Sequence, residues 1–202
     1  MLELLREIQA LAQTGLHYAK DPYDIERYSR LREIAFQLMA QSGGVSLDRV
    51  RDFFVPQTGY ATPKVDLRAC VIRDGRVLLV RERTDGKWTL PGGWADQNES
   101  PAEGIVREVR EESGYDVEVD ALYAVRNRDR HEYVPRYPVS VYKLFFTASL
   151  LGGTPRPSTE VSEVEFFDPD DLPPLSEGRV LVRDVRDGVR FAAGDATQPV
   201  VD

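Results

Sequence analysis

The sequence predicts a mixed α/β protein with a small helical domain at its N-terminus. Apolar residues recur at helical spacing through the first sixty residues, whereas β-rich segments separated by turns follow from residue 65 onwards. One well-capped helix at residues 100–113 interrupts those strands. These observations predict a helical domain at 1–60, an α/β domain at 65–190 and a frayed tail at 191–202.

Three helices are predicted in the N-terminal domain. Asp21 and Pro22 are a typical N-cap and first-turn pair for the second helix, which ends at Gly44, and Ser46 can cap a short third helix. The first helix carries one apolar stripe, formed by Leu2, Leu5, Ile8 and Leu11.

The remaining chain predicts six strands and a terminal helix. A turn at Asp74–Gly75 joins the first two strands. The terminal helix is expected at Leu175–Val189. The strands are expected at Val65–Ile72, Val77–Arg83, Trp88–Leu90, Val117–Val125, Val139–Ser149 and Val164–Phe167.

Composition is that of a soluble globular protein, with 42% hydrophobic and 30% charged residues. No apolar run approaches the length of a membrane span, and the N-terminus lacks the pattern of a signal peptide. The single cysteine, Cys70, has no partner for an internal disulfide. We therefore expect a cytoplasmic protein with no membrane association.

The formal charge of −8 is unevenly distributed. Acidic and basic residues balance within residues 1–64, so the whole excess of acid falls on residues 65–202. Because such an excess repels polyanions, general nucleic-acid binding is disfavoured, while an anionic substrate bridged by metal remains compatible with it.

The residues that indicate a catalytic function lie in the segment Gly93–Tyr115. Ser100, Pro101 and Glu103 have the spacing of a capping box, and Gly114 is a helix terminator. Within this helix three glutamates fall three and four residues apart and so project from one face: Glu108, Glu111 and Glu112. A hard divalent cation such as Mg²⁺ would relieve their repulsion. The run REVREE taken alone is more often a solvated helix face.

The whole segment resembles the Nudix box, G-x5-E-x7-R-E-U-x-E-E-x-G-U, in which U is a bulky apolar residue. Tyr115 stands at the final U, where aliphatic residues are commoner, and this departure affects packing alone. The matching residues are Gly93, Glu99, Arg107, Glu108, Val109, Glu111, Glu112 and Gly114.

The resemblance implies a Nudix fold, an α/β/α sandwich around a mixed sheet. It also implies a pyrophosphohydrolase that uses Mg²⁺ or Mn²⁺ to cleave a nucleoside diphosphate linked to another group X, as in CDP-choline or ADP-ribose. By position, Glu108, Glu111 and Glu112 would be metal ligands, and one of them could instead deprotonate the attacking water. Arg107 would orient them, and the Gly93 carbonyl would be a further ligand.

Residues outside the box are weaker candidates. Enzymes of this family often carry another glutamate on a later loop, as metal ligand or general base, for which Glu160 is the first choice and Glu163 the alternative. Arg81 and Arg83 lie two apart in a predicted strand and so share a side, from which they would contact phosphate. Exposed loop acids and a solvated strand face are the competing interpretations.

Two further features bear on partners. The N-terminal region resembles a bacterial subgroup of the family, which includes CDP-choline and ADP-ribose pyrophosphatase-like proteins, and the extra helices imply a homodimer. A basic cluster within residues 126–136 leaves open an RNA-processing enzyme as an alternative, opposed by the net charge. A ligand-sensing module is the third alternative, opposed by the intact set of glutamates.

Overall fold

The computed structural model describes all 202 residues, and they divide into two compact units. The first unit is Met1–Pro63 with Pro138–Ser140, and the second is Lys64–Tyr137 with Val141–Asp202. None of the helices combines the length and apolar character needed to cross a lipid bilayer.

Three helices form the first unit: α1 at Leu2–Tyr18, α2 at Pro22–Gly43 and α3 at Leu47–Phe54. Asp21 caps α2 by accepting the backbone N–H groups of Tyr23 and Asp24, and Ser46 caps α3. The helices enclose a small core: Leu5, Phe36, Met39, Ala40, Val50 and Phe54. The three predicted helices are confirmed.

The second unit is built on one seven-stranded mixed sheet. Its strands are β1 Lys64–Arg73, β2 Arg76–Glu82, β3 Trp88–Thr89, β4 Tyr115–Asn127, β5 Val141–Gly153, β6 Val161–Phe167 and β7 Val200–Val201. The order is β3-β2-β1-β5-β4-β7, and β6 pairs with β2. Parallel pairing joins β1 to β5 and β4 to β7, and the other pairs are antiparallel.

Two helices cover opposite faces of this sheet. On one face Leu67, Ala69 and Val71 of β1 belong to a core with Ile105 and Val109 of α4, which spans Pro101–Ser113. On the other face the core joins strand residues to α5, Val182–Ala192, and it includes Cys70, Tyr123, Phe145 and Val185. The alternation of side chains along β1 therefore supplies both layers, and the predicted α/β/α arrangement is confirmed.

Three predicted elements differ most from the structure. The terminal helix begins at Val182 rather than Leu175, because the preceding segment is extended against β3, where Ser176 N donates to Trp88 O at 2.7 Å. The tail expected to be frayed contains β7, and Asp202 N donates to Val125 O at 3.2 Å. The strand expected to end at Ser149 continues to Gly153.

Candidate active site

A glycine-containing loop runs along the edge of β1 and brings the chain to the start of α4. Leu67 N donates to Gly93 O at 2.8 Å, and Ala69 N donates to Pro91 O at 2.9 Å. Gly92 has a φ of 140°, and a Cβ there would lie 2.0 Å from Leu67 O. Only glycine permits this close approach. The Gly93 carbonyl, expected to be a metal ligand, already accepts one hydrogen bond, which leaves its second lone pair available.

Helix α4 is fixed at both ends by the predicted signals. Ser100 and Glu103 form a reciprocal capping box, and Gly114 closes the helix in the left-handed conformation. Because Ile105 and Val109 are fully buried against the sheet, the face that carries the glutamates is held at a defined angle.

Arg107 is the centre of an ion-pair network on this helix. It donates to Glu99 through Nε at 2.8 Å and through Nη2 at 3.0 Å, a two-point contact that ties the loop to the helix. Its Nη1 lies 3.0 Å from Glu108 Oε1 and 3.2 Å from Glu111 Oε2. These bonds raise the pKa of Arg107, and they lower the pKa of Glu99.

Glu112 and Glu108 carry carboxylates that burial disfavours. Burial raises the pKa of Glu112 to about 8, although Arg68 and a 2.8 Å hydrogen bond from Gly92 N oppose the shift. Burial likewise raises the pKa of Glu108, with Arg107 opposing it. Glu111 is exposed. A cation placed near these groups would favour their ionised forms.

A cavity of about 540 Å³ opens beside the α4 glutamates and lies wholly within the second unit. Its aromatic side chains are Trp94 and Tyr137. The acidic residues that line it are Asp66, Glu82, Asp96, Glu108, Glu111, Glu112 and Glu160. The basic residues that line it are Arg68, Arg107, Arg128, Lys143 and Arg179. Such a volume suits a small ligand.

The two glutamates considered for a later loop, Glu160 and Glu163, lie in different environments. Glu160 lines the cavity, and its carbonyl accepts the Arg83 N–H at 2.9 Å. Glu163 does not line it, since its carboxylate pairs with Arg81 Nη1 at 2.6 Å. The structure thus places Glu160, the first choice from sequence, among the cavity residues.

Arg81 and Arg83, expected to contact substrate phosphate, are not among the cavity-lining residues. Arg81 is held by Glu163 and by the Gly86 carbonyl at 2.8 Å, and Arg83 Nε donates to Ser158 O at 3.3 Å. A bulge in the β2–β6 pairing between Arg81 and Glu82 disturbs the simple alternation on which the expectation rested. Glu82 faces the cavity instead.

Glu82 was missed by the sequence analysis. It is 5% exposed, and its Oε1 lies 3.0 Å from Arg179 Nε. Burial raises its pKa, while Arg179 opposes the shift. Arg179 also lies 3.7 Å from Asp85 and donates to Ser176 Oγ at 3.1 Å, so the segment before α5 is anchored at the cavity.

A buried charged group on two central strands was also missed. Arg68 and Asp66 of β1 pair through Arg68 Nη2 at 2.8 Å, and Lys143 of the neighbouring β5 bonds the same carboxylate. The register sets Lys143 directly opposite Asp66. Charged residues inside otherwise apolar strands, as in VDLRACVI and VYKLFF, were the available signal.

The basic cluster at 126–136 is largely occupied by internal partners. Arg126 pairs with Asp184 at 3.0 Å and also with Asp187, and Arg128 is buried. His131 contacts Asp202 at 2.7 Å, and Arg136 Nη1 lies 4.0 Å from Asp129. The segment therefore does not form the continuous exposed basic surface on which the RNA alternative depended. Of this cluster, only Arg130 and Arg136 are exposed.

The donor set fits a hard divalent cation in its chemistry. The cavity offers carboxylate oxygens without histidine or cysteine, which suits Mg²⁺ or Mn²⁺ better than zinc. No three acidic, histidine or cysteine side chains lie close enough together to form a ready ligand group. Since Arg107 holds Glu108 and Glu111, binding a cation requires rotation of these side chains.

Two family models match the chain. One, described as "UDP-X-like, N-terminal oligomerisation domain", covers residues 1–54. The other, described as "NUDIX domain", covers residues 63–184.

Relatives and solved structures agree with these matches. "Putative ADP-ribose pyrophosphatase YjhB" of Bacillus subtilis (strain 168) is 41% identical over 178 residues, which is 88% of this chain and 85% of that protein. The crystal structure of a UDP-X diphosphatase matches with a TM-score of 0.66 and 31% identity, covering 100% of this chain and 97% of that one. An ADP-ribose pyrophosphatase from Streptococcus suis 89-1591 matches with a TM-score of 0.63 and 38% identity, covering 70% and 100%.

Proposed function

Because the chain belongs to the Nudix hydrolase family, we propose that it is a metal-dependent pyrophosphohydrolase of small nucleoside diphosphate conjugates. The single observation that carries the proposal is the geometry of α4. The cavity, which is of ligand size, is lined by Glu108, Glu111 and Glu112. Arg107 joins Glu108 and Glu111 to the loop that precedes the helix.

Glu108, Glu111 and Glu112 would hold the cation, with the free lone pair of the Gly93 carbonyl as a further donor. When bound, Mg²⁺ or Mn²⁺ supplies Lewis-acid neutralisation of charge on the diphosphate oxygens. The raised pKa values of Glu108 and Glu112 support this assignment, because a charged partner offsets the cost of burying their carboxylates.

The other residues of the cavity have separate roles in the proposal. Arg107 positions Glu108 and Glu111 through its Nη1, and Gly92 N positions Glu112. Glu160 accepts the proton of the attacking water. Arg179, which lines the cavity, would contact a phosphate oxygen, since a guanidinium matches phosphate geometry.

The reaction is hydrolysis of a phosphoric anhydride. Water adds to one phosphorus, the bridging P–O bond breaks, and the products are a nucleoside monophosphate and a phosphorylated X. Support for this substrate class comes from the relatives named ADP-ribose pyrophosphatase and UDP-X diphosphatase. The acidic cavity and the internally paired 126–136 cluster disfavour a long polyanion such as RNA.

We also propose a homodimer assembled through the first unit. The matching family model is described as an oligomerisation domain. Helix α1 exposes Leu4, Leu11 and Tyr18, which recur every seven residues and so share one face.

A hydrolysis screen tests the enzymatic proposal. ADP-ribose, UDP-glucose, CDP-choline and a short oligoribonucleotide are compared with Mg²⁺, with Mn²⁺ and with excess chelator, and nucleoside monophosphate is quantified by chromatography. We expect turnover of at least one small conjugate that chelator abolishes. Full turnover in excess chelator would contradict the metal requirement, and a preference for the oligonucleotide would contradict the substrate class.

A further inference from the structure

Besides the α4 glutamates, the cavity is lined by three buried cations, two of which contact the carboxylate of Asp66. Arg68 contacts Asp66 at 2.8 Å and 3.2 Å, and Lys143 bonds the same side chain. Both cations are at most 4% exposed. Burial lowers the pKa of Lys143 to about 8, with Asp66 opposing the shift, so the ammonium group is mostly protonated at neutral pH. Asp66 is therefore shared by two cations.

The third cation, Arg128, retains an unused hydrogen-bond donor. It is 2% exposed, and its Nη2 donates to the Pro135 carbonyl at 2.6 Å and to the Gly178 carbonyl at 3.4 Å. Its Nη1 is buried and has no hydrogen-bond partner. Because buried polar groups are almost always hydrogen-bonded, an unpaired guanidinium nitrogen at a cavity wall points to an acceptor supplied by a ligand.

The acidic neighbours of Arg128 are shared with other cations. Asp129 and Asp66 attract the Arg128 guanidinium, but Asp129 also lies 4.0 Å from Arg136, and Asp66 pairs with Arg68 and Lys143. The guanidinium of Arg128 lies over the Tyr137 ring, 4.4 Å from its centroid, and so occupies one face of that ring. A cationic ligand group would meet like charge here, whereas a carbonyl, hydroxyl or carboxylate oxygen would find donors.

We propose that Arg128 and Lys143 form a specificity subsite for an uncharged or anionic, oxygen-bearing part of the substrate, and that the subsite rejects a cationic group. The inference rests on the proposed function, which supplies the substrate class. The oxygen comes from one of two sources, a carbonyl of the base or a hydroxyl or carboxylate of X.

Two pairs of substrates distinguish the sources. CDP-glycerol and CDP-choline share a base and differ in the charge of X, whereas UDP-glucose and ADP-glucose share X and differ in the base. The ratio of kcat/KM within each pair is measured for the wild-type protein, Arg128→Gln and Lys143→Met. Lys143→Met keeps the apolar stem beside Tyr133 and Phe145 and removes the charge. Arg130→Gln is the matched control, since it removes the same charge from an exposed residue of the same turn.

We expect both test variants to change one ratio by at least about tenfold, while Arg130→Gln changes neither. Loss of a wild-type preference for CDP-glycerol over CDP-choline assigns X to the subsite, and a changed UDP-glucose to ADP-glucose ratio assigns the base. Thermal melts identify a variant that has lost its fold, in which case the other variant decides.

The proposal is overturned if both ratios stay within about twofold of wild type in every folded test variant. Absence of hydrolysis with these four compounds and with ADP-ribose would instead contradict the proposed function. The subsite proposal is then tested by calorimetry, which gives dissociation constants of the same four compounds for the same variants. The ratio of dissociation constants within each pair replaces the ratio of kcat/KM.

Discussion

Glu112 is a candidate metal ligand, and its buried carboxyl group also makes the stability of the protein depend on pH. Its carboxylate is 6% exposed and accepts the Gly92 N–H, and burial raises its pKa to about 8 from a usual value of 4.5. The folded protein therefore binds this proton more tightly than the unfolded chain does. The stabilisation that comes from binding this proton at Glu112 is complete below pH 4.5. It is lost as the pH rises towards 8.

Replacing Glu112 by glutamine should reduce this pH dependence. In the presence of chelator, we expect Glu112→Gln to be more stable than wild type at pH 8 by more than about 1 kcal/mol, since each pKa unit corresponds to about 1.4 kcal/mol. At pH 4.5 the difference should nearly vanish. Free energies of unfolding from urea titrations at several pH values provide the measurement, and parallel profiles for the two proteins would refute the assignment.

The residues on α4 were predictable because helical periodicity alone brings Glu108 beside Glu111 and Glu112. The cavity residues on strands were not, because their neighbours depend on the pairing of distant segments. Lys143 contacts Asp66 only because the β1–β5 register sets them opposite each other. A bulge between Arg81 and Glu82 places Glu82 at the cavity, where Arg81 was expected. Local sequence patterns contain neither fact.

At the scale of elements, the loop from Pro91 to Ala95 is what sets α4 against β1. Three backbone hydrogen bonds of 2.8–3.0 Å join it to the edge of that strand. Gly92 makes the approach possible, since a side chain there would collide with the backbone of Leu67.

Gly92→Ala should therefore destabilise the protein by more than about 2 kcal/mol, because backbone must shift and positive φ adds strain. Gly86→Ala is the control: its φ is also positive, at 69°, but the nearest atom to an added Cβ lies 4.0 Å away. We expect the control to cost about 1 kcal/mol. Equal losses in melting temperature for the two variants would contradict the close-approach argument.

The predicted element boundaries agree with the structure where local capping residues set them. They differ where contacts with distant strands set them. The limits of α4 were set by Ser100 and Gly114, both read directly from the chain. In contrast, Leu175 lies in a bridge to Trp88, and Val200 pairs with β4. The first contact replaces the predicted helical turn, and the second replaces the predicted frayed tail. Neither contact can be recognised from the residues next to it in sequence.

At the scale of the whole molecule, the exposed apolar side chains of α1 support the proposed dimer. Leu4, Leu11 and Tyr18 are 59%, 60% and 65% exposed, an unusual stripe for an isolated helical unit. A symmetric dimer is the simplest assembly that covers such a face.

The double variant Leu4→Glu and Leu11→Glu should convert the dimer to a monomer, because charges replace apolar contacts at its interface. Light scattering should then report about 22.8 kDa per particle, and twice that mass for wild type. Gln41→Glu, which adds charge at an exposed polar position, should remain dimeric. A wild-type protein that is monomeric at micromolar concentration would exclude the proposed assembly.

The most direct test of the central claim is the rate of nucleoside monophosphate release from ADP-ribose with Mg²⁺, compared between wild type and the variants Glu111→Gln and Glu112→Gln. Both substitutions keep side-chain volume and remove charge, so we expect each to lower kcat by at least about 100-fold while far-UV circular dichroism is unchanged. Glu118→Gln, at an exposed glutamate of β4 outside the cavity, should retain wild-type activity. Near wild-type rates in both α4 variants would contradict the claim that this helix carries the active site.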